Sequence, residues 1–267
     1  MIYLTVKLKR YSLLILIALL SGLNILPLRA QIQNLPPKEI ILLIGQSNMA
    51  GRAPLLEQDL ERVENAFLLD SLNQWIPLQN PLNLHSSIRK VASMQRFNLG
   101  YTLAKKMTKS PKNHSLGLVV NARGGTKIEQ WIPGTHYYQE ALRRSKAAQN
   151  TGGKIVAALW LQGESNLGDQ DPNFENYFEK LKSIIFSLRK DLNNENLIFI
   201  ASELNKDRPE NEVFKQMLAR LDREIPFSGV VKSKGTHTFD GTHYDNKGLK
   251  KLGKRFAKKL NKIKKTP

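Results

Sequence analysis

Cysteine is absent from all 267 residues of the chain. Without thiols the chain has no cysteine nucleophile, no cysteine-ligated zinc or iron–sulfur centre, no disulfide and no lipidated cysteine. Other metal-binding patterns are missing as well, because the five histidines are scattered and neither H-E-x-x-H nor calcium-loop spacing occurs. The sequence therefore predicts a protein that binds no metal or cofactor and is stabilised by its hydrophobic core.

Acidic residues are few beside basic ones. The chain has 23 Asp and Glu against 41 Lys and Arg, a net charge of +18, yet 41% of its residues are apolar, which is typical of a folded protein. Residues 247–265 hold ten basic residues and no acid, and their apolar residues recur every third or fourth position. This spacing predicts an amphipathic C-terminal helix.

Two interpretations of this basic helix are open. It is either the last helix of the fold with a solvated basic face, or a point of peripheral contact with an anionic surface polymer or membrane. A nucleic-acid partner is not expected, because no recognition motif is present.

Long apolar runs are missing after the first thirty residues. Lys7, Lys9 and Arg10 precede an apolar run over 13–28, and the small residue Ala30 follows, an order typical of a secretion signal. We predict a signal peptide over 1–30 and a single catalytic domain over 31–267. The alternative is an uncleaved membrane anchor, since the run approaches the length of a membrane span. Either arrangement makes the protein secreted or periplasmic.

Five short, continuous apolar runs alternate with helical patterns along the domain. The runs predict buried strands at 40–44, 116–120, 155–161, 197–201 and 227–231. The helical patterns lie at 97–107, 138–148, 177–192, 213–223 and 248–263. We predict an α/β fold of three layers, α/β/α, around a mainly parallel five-stranded sheet. The stretch 50–94 has no clear periodicity and is expected to be a long excursion over the sheet edge or the substrate mouth.

Ligands of such sheets bind beyond the carboxyl ends of the strands, where we find a candidate nucleophile and base. Ser47 follows the first strand, and Asp240 stands three residues before His243 after the last one. This spacing allows the carboxylate to hold one imidazole nitrogen and direct the other at a serine. His237 is a competing base, but Lys234 occupies its −3 position. Taken singly, Ser47 is more typical of a turn or helix N-cap, and Asp240 of a loop cap beside a surface histidine.

Candidate oxyanion donors follow the second and third strands. The segment 121–126 contains Gly124 and Gly125, whose N–H groups are uncovered by side chains, and Gln162 offers a side-chain amide. Each has an ordinary alternative. The glycines are also typical of a plain turn, and the glutamine can simply form hydrogen bonds with backbone groups at the strand end. Their position on the same predicted rim as Ser47 favours a site of acyl transfer.

Four ordered blocks resemble those of the SGNH-hydrolase superfamily. They are Gly45-Gln46-Ser47-Asn48-Met49, Gly124-Gly125-Thr126, Trp160-Leu161-Gln162-Gly163-Glu164-Ser165 and Asp240-Gly241-Thr242-His243. The resemblance spans about 39–256 and is specifically to the branch of carbohydrate acetylesterases, which includes sialate O-acetylesterases and the acetyl xylan esterases of carbohydrate esterase family six. Two positions depart from that branch: Leu161 replaces an aromatic residue or histidine, and Asn166 replaces an aspartate.

The resemblance implies a flavodoxin-like fold with Ser47 as nucleophile, His243 as base and Asp240 as the acid that orients it. It also implies an oxyanion hole built from the Ser47 N–H, a glycine N–H, for which we favour Gly124, and the Gln162 amide. Glu164 is an alternative or assisting acid.

The function predicted from the sequence is that of an exported serine esterase that removes O-acetyl groups from a carbohydrate through an acetyl-enzyme on Ser47. No cofactor is needed for this chemistry. The alternatives are an SGNH lipase, thioesterase or acyltransferase, or a non-catalytic basic carbohydrate-binding protein.

Overall fold

The computed structural model describes residues 36–109, 115–171, 173–204 and 210–265. The predicted signal peptide over 1–30 lies outside these residues. None of the helices within the described ranges combines the length and the apolar composition that a membrane crossing requires.

The described strands form one sheet of seven. They are β1 (Glu39–Gly45), β2 (Ala66–Leu69), β3 (Trp75–Pro77), β4 (Leu116–Ala122), β5 (Lys154–Leu161), β6 (Ile198–Ser202) and β7 (Ser228–Val231). The spatial order is β3-β2-β4-β1-β5-β6-β7, and every neighbouring pair is parallel except β2 with β3. The predicted α/β class with a mainly parallel sheet is confirmed.

The five strands that the sequence predicts make up the central part of this sheet. Numbered one to five in chain order, β1, β4, β5, β6 and β7 lie in the order 2-1-3-4-5, which is the flavodoxin-like arrangement. β1 is at the centre, and residues 40–44 are at most 2% exposed. A strand buried on both faces has a continuous apolar sequence, which is why these runs were recognisable.

The predicted number of five strands is wrong, because β2 and β3 extend the sheet beside β4. Both lie within 50–94, the stretch expected to be an excursion without regular structure. They have four and three residues, too few to show a period of two. The turn between them is held by Asp70, whose Oδ1 accepts the N–H groups of Leu72 and Gln74 at 2.8 Å each.

The helices largely follow the predicted pattern. They are α1 (Ser47–Ala50), α2 (Leu99–Met107), α3 (His136–Gln149), α4 (Glu175–Asp191), α5 (Glu210–Leu218), α6 (Leu221–Glu224) and α7 (Asn246–Ile263). The single helix predicted over 213–223 is divided into α5 and α6. Short 3₁₀ turns lie at Glu57–Asp59, Leu82–His85, Ala92–Met94 and Ile128–Gln130.

Helices cover both faces of the sheet. The crossovers from β1 to β4 and from β4 to β5 run in opposite directions, so right-handed connections place α2 and α3 on opposite faces. α3 contacts β4, β1 and β5, whereas α7 packs against α2 and contacts β6 and β7. The apolar stripe of α7 is buried, with Leu249, Leu252, Phe256 and Leu260 fully inaccessible. This burial accounts for the apolar half of the C-terminal pattern as part of the core.

The strands that precede the candidate site end level with one another. Gly45 at the end of β1 pairs with Ala122 of β4 and with Leu161 of β5. The segments that begin at Gln46, Arg123 and Gln162 therefore leave the sheet at the same edge, between its most buried strands.

Candidate active site

Ser47 stands on a sharp turn from β1 into the one-turn helix α1. Gly45 has φ +141°, and a Cβ there would lie 2.2 Å from the carbonyl oxygen of Leu161, so the turn requires glycine. The Gln46 N–H then donates to the same Leu161 oxygen at 3.0 Å. The chain is thus held against β5 while Ser47, 6% exposed, projects beyond the sheet.

The structure brings the three predicted triad residues together. Ser47 Oγ lies 3.0 Å from His243 Nε2, and His243 Nδ1 lies 2.6 Å from Asp240 Oδ2. The other carboxylate oxygen of Asp240 accepts the N–H groups of Thr242 and His243 at 3.0 and 2.6 Å. Asp240 therefore fixes both the conformation of the loop and the orientation of the imidazole. The Nε2 atom of the ring faces the serine, as a general base must.

The environment of Asp240 favours its ionised form. Partial burial alone raises the pKa of this carboxyl, but the hydrogen bonds from the His243 ring, the His243 N–H and the Thr242 N–H outweigh burial and place the pKa below its ordinary value. An ionised Asp240 stabilises the imidazolium that forms when His243 accepts a proton.

His237, the competing base, lies on the other arm of the hairpin that carries His243. Thr238 and Tyr244 form an antiparallel bridge between the arms, and the His237 carbonyl accepts the Asp245 N–H at 2.9 Å. The His237 side chain is exposed, and no hydrogen bond joins it to Ser47 in the described part of the chain. The hairpin thus presents His243 to the serine.

Asn48 connects the nucleophile turn to the residues on either side of His243. Its Nδ2 donates to the Thr242 carbonyl at 3.1 Å, and its Oδ1 accepts the Tyr244 N–H at 2.9 Å. Nδ2 also donates to Glu164 Oε1 at 2.5 Å. Glu164, the alternative acid of the sequence prediction, is thus connected to the histidine loop through Asn48, whereas the carboxylate that contacts His243 Nδ1 is that of Asp240.

Gly124 lies beside the nucleophile. A Cβ on Gly124 would stand 3.2 Å from Ser47 Cβ, and its N–H makes no hydrogen bond to another described residue. The following turn is anchored by Thr126, which donates to the Arg123 carbonyl at 3.0 Å and accepts the Trp131 indole N–H at 2.9 Å. Trp131 is 1% exposed and so supports this loop from the core.

Gln162 lies at the base of the site, fully buried. Its Nε2 is within hydrogen-bonding distance of the Thr126 carbonyl at 2.8 Å, Asn166 Oδ1 at 2.9 Å and Gln46 Oε1 at 3.2 Å. The Tyr177 hydroxyl donates to its Oε1 at 2.7 Å. A carboxamide has two N–H donors, and both face protein acceptors. In this arrangement Gln162 braces the three segments of the site, and its role as an oxyanion donor stays a prediction.

Arg52 is a neighbour of the triad that the sequence analysis missed. Its guanidinium is half-buried, Nη1 donates to the carbonyls of Gly51 and Met94 at 3.2 and 2.7 Å, and Nη2 would lie 3.0 Å from a Cβ on Gly124. Burial lowers the pKa of Arg52. A single arginine after a motif carries no sign in the sequence that it will be half-buried.

Metal ligands are not assembled in the described residues, where no group of three or more His, Asp or Glu side chains could hold an ion. The chemistry that the described side chains can supply is nucleophilic attack by Ser47 with proton transfer by His243.

Comparison with known proteins identifies relatives of this arrangement. A family model described as "carbohydrate esterase, sialic acid-specific acetylesterase" matches residues 37–262. The probable carbohydrate esterase At4g34215 of Arabidopsis thaliana is 31% identical over an alignment 173 positions long, which covers 60% of this chain and 66% of that protein. The alignment thus spans just under two thirds of the relative.

Solved structures share the fold over most of the chain. The X-ray structure of the Arabidopsis protein has a TM-score of 0.77 at 26% identity and covers 85% of this chain and 99% of its own. NanS has a TM-score of 0.69 at 15% identity, covering 85% and 98%. XAC1771, a carbohydrate acetylesterase from Xanthomonas citri, has a TM-score of 0.53 at 16% identity, covering 82% and 55%. The last two similarities concern the fold alone.

Proposed function

The chain belongs to the carbohydrate esterase family described as sialic acid-specific acetylesterase, a family of carboxylic ester hydrolases, and from this premise we propose that it removes O-acetyl groups from a carbohydrate. The observation that carries the proposal is the line of contacts from Ser47 Oγ through His243 to Asp240, at 3.0 and 2.6 Å. The family description and the name of the Arabidopsis relative support the substrate class, since the family is one of sialic acid-specific acetylesterases and the relative is a probable carbohydrate esterase.

Acylation begins at Ser47. As Oγ attacks the acetyl carbonyl carbon, its proton passes to His243 Nε2, and Asp240 stabilises the imidazolium. The carbonyl oxygen becomes an oxyanion that accepts the N–H groups of Ser47 and Gly124. When the tetrahedral intermediate collapses, His243 returns the proton to the sugar oxygen, the sugar hydroxyl leaves, and the acetyl group remains on Ser47.

Deacylation repeats these steps with water. His243 Nε2 accepts a proton from a water molecule while the water oxygen attacks the acetyl carbonyl, and the same N–H groups bind the second oxyanion. Collapse returns the proton to Ser47 Oγ and releases acetate. Every proton transfer uses the same imidazole nitrogen, which is why Nδ1 must be held by Asp240.

We assign Gln162 a supporting role in this reaction. Its contacts with Gln46 and the Thr126 carbonyl hold the serine turn and the glycine loop at a fixed separation. It becomes a third oxyanion donor only when the Asn166 contact at 2.9 Å gives way to substrate.

The test measures hydrolysis by the purified protein over a series of p-nitrophenyl esters, together with acetate release from O-acetyl sialic acid and acetylated xylan. We expect activity to fall steeply from acetate to butyrate and to vanish by octanoate, because a site adapted to an acetyl group would exclude an oversized acyl chain. A maximum at octanoate or longer would identify a lipase or thioesterase instead.

Ser47→Ala is the matched control in every assay. Loss of a triad nucleophile lowers kcat by about 10⁶-fold in a comparable hydrolase. If the variant keeps more than about a tenth of the wild-type rate, this residual rate is far higher than the loss of a nucleophile allows, and the protein is not a Ser47 esterase. Bound carbohydrate without any hydrolysis by the wild-type protein would identify the non-catalytic alternative.

Export is a separate part of the proposal. It rests on the basic, apolar and small-residue order of residues 1–30. Mass spectrometry of the protein recovered from its own host would show an N-terminus near residue 31 if the segment is cleaved, and Met1 if it is retained.

A further inference from the structure

Arg52 is a cation beside the nucleophile. Its residue is half-buried, and no carboxylate of the described chain forms an ion pair with it. Burial of an unpaired charge is unfavourable, and such a charge in a catalytic cleft marks a functional group. Only one nitrogen of the guanidinium is used to hold the local structure, because both hydrogen bonds of the side chain, to the Gly51 and Met94 carbonyls, are donated by Nη1.

A second nitrogen of Arg52, Nη2, lies beside the site. Nη2 would lie 3.0 Å from a Cβ placed on Gly124, and Ser47 Cβ would lie 3.2 Å from the same point. The guanidinium and the nucleophile are therefore no farther apart than the sum of those two distances, within one sugar residue of each other. Nε and Nη2 make no hydrogen bond to another described residue, and together they form one edge of the planar fork, which matches the two oxygens of a carboxylate.

A second cation lies on the same side. Lys90 Nζ would stand 3.4 Å from a Cβ on Gly125, and its exposed side chain forms no ion pair within the described residues. The two acids of the site contact other residues, Asp240 contacting His243 and Glu164 contacting Asn48. The glycine loop of the site is thus bordered by positive charge that no described carboxylate neutralises.

We infer that the Nε–Nη2 edge of Arg52 binds a carboxylate on the same sugar that carries the acetyl ester, with Lys90 adding positive charge at the rim. Arg52 is then the residue that distinguishes an acidic O-acetylated sugar from a neutral one. This inference rests on the proposed esterase function, because it assumes that the sugar is placed with its ester at Ser47. Nη1, held by two carbonyls, keeps the fork from rotating away.

The test compares two substrates that differ only in charge: O-acetyl-N-acetylneuraminic acid and its 1-carboxamide. We expect the wild-type protein to have a kcat/KM at least about tenfold higher on the acid, mainly through KM, since a bidentate charged pair is worth that much. Arg52→Gln should reduce this ratio to nearly one, and Arg52→Lys, which keeps the charge without the fork, should give an intermediate ratio. Arg96→Gln, at an exposed arginine, should keep the wild-type ratio.

Binding of a ligand without an ester separates this inference from the esterase function. Calorimetry with the Ser47→Ala protein uses N-acetylneuraminate as the probe and its carboxamide as the control. Tighter binding of the acid, lost in Ser47→Ala/Arg52→Gln, would support the role of Arg52 even if no ester were cleaved. Equal binding of the two probes would overturn it even if esters were cleaved.

Kinetic measurements on Arg52→Gln distinguish carboxylate binding from an oxyanion or structural role of Arg52. An equal fall in kcat on both substrates in Arg52→Gln, with the ratio unchanged, would make Arg52 an oxyanion or structural residue and overturn the inference. Should Arg52→Gln fail to fold, as thermal unfolding would reveal, the acid-to-carboxamide ratio of the wild-type protein and of Arg52→Lys still decides the matter.

Discussion

At the scale of single residues, Asn48 matters because it holds the chain on both sides of His243, the proposed base. One amide group contacts the Thr242 carbonyl and the Tyr244 N–H, and the position of His243 Nε2 depends on both. Reaction rates are sensitive to errors of this kind, since a misplacement of about 1 Å can cost 10²-fold.

We predict that Asn48→Ala lowers kcat on p-nitrophenyl acetate by about 10-fold to 10²-fold with little change in KM, because the substrate contacts stay and the base is displaced. Asn246→Ala is the control, since Asn246 ties the same region to Pro54 and Asp59 without flanking His243. Steady-state kinetics of the two variants provide the measurement. Equal losses would mean that Asn48 acts only through the general stability of the hairpin.

Asp240 also links the site to stability in acid. Its pKa in the folded protein lies below the ordinary value because the hydrogen bonds from His243 and Thr242 outweigh burial. The stabilisation by the ionised carboxylate is therefore complete above the unfolded pKa of about 3.9 and is lost as the pH falls through the lower folded value.

We predict that the wild-type protein is more stable than Asp240→Asn near pH 6, and that this difference shrinks as the pH falls below about 4. Thermal unfolding of both proteins between about pH 2 and pH 6 tests this. A difference that stayed constant to the lowest pH would mean that ionisation of Asp240 contributes nothing to folding.

The proximity of Ser47, His243 and Asp240 could be predicted from sequence because their relation is local or lies at strand ends, while their catalytic roles stay predictions. Asp240 and His243 are three positions apart, and Ser47 follows a strand whose apolar run is unmistakable. The roles of Gln162 and Arg52 depend on partners from distant segments, such as Tyr177 on Gln162 and the Met94 carbonyl on Arg52. No local pattern contains those contacts.

At the scale of elements, prediction succeeded where an element is long and buried and failed where it is short. β1, with residues 40–44 fully apolar, was recognisable, whereas β3 has three half-exposed or exposed residues. The break between α5 and α6 falls after Leu218, inside a continuous helical pattern. Tertiary packing decides such cases, and the pattern of one segment does not report it.

The contact between α2 and α7 depends on a glycine. A Cβ on Gly253 would lie 2.5 Å from the Leu99 carbonyl oxygen and 2.9 Å from Thr102 Cβ. Because the nearest atom belongs to the backbone, it cannot move aside as the end of a flexible side chain could. The two helices must separate to admit any larger residue.

We predict that Gly253→Ala lowers the free energy of unfolding by about 1–3 kcal/mol, the usual effect of overpacking, despite the higher helix propensity of alanine. Gly168→Ala is the control, since nothing lies within 4 Å of a Cβ at Gly168. Urea unfolding monitored by circular dichroism measures both. If Gly253→Ala were stabilising, the α2–α7 contact would be more compliant than the structure indicates.

At the scale of the whole molecule, the net charge of +18 is distributed unevenly. Two lysines of α7 and one directly after it are paired, Lys250 with Asp59, Lys259 with Asp222 and Lys264 with Glu39, each at 2.7 Å. A groove of about 440 Å³ between α2 and α7 is lined by other lysines. Of these, Lys106, Lys254, Lys258 and Lys265 are exposed and have no ion pair within the described residues.

The shape of this groove favours a chain-like anion over a flat lipid surface. Lys254 and Lys258 lie one turn apart on one face of α7, Lys265 lies in the turn that follows this helix, and Lys106 lines the same groove from α2. The large apolar side chains that are exposed in the described residues lie elsewhere, at 56, 60, 72, 91, 94, 186, 227 and 239. Peripheral membrane binding usually adds buried apolar area to charge, and neither helix of the groove supplies it.

We predict that the protein binds an acidic polysaccharide, for which polygalacturonate is the probe. The groove variant, Lys254→Gln/Lys258→Gln/Lys265→Gln, should weaken this binding strongly. The control variant, Lys146→Gln/Lys154→Gln/Lys190→Gln, removes the same charge at exposed positions outside the groove and should weaken it far less. Binding of the wild-type protein should fade as salt rises through about 0.15 M, where the screening length is roughly 8 Å. The salt dependence should be shallower in the groove variant, because fewer cations contact the polymer. Affinity measured at two salt concentrations decides between the two interpretations of the basic helix. Equal losses of affinity in the two variants would attribute binding to net charge alone. Absence of binding by the wild-type protein would mean that the basic face of α7 is simply solvated.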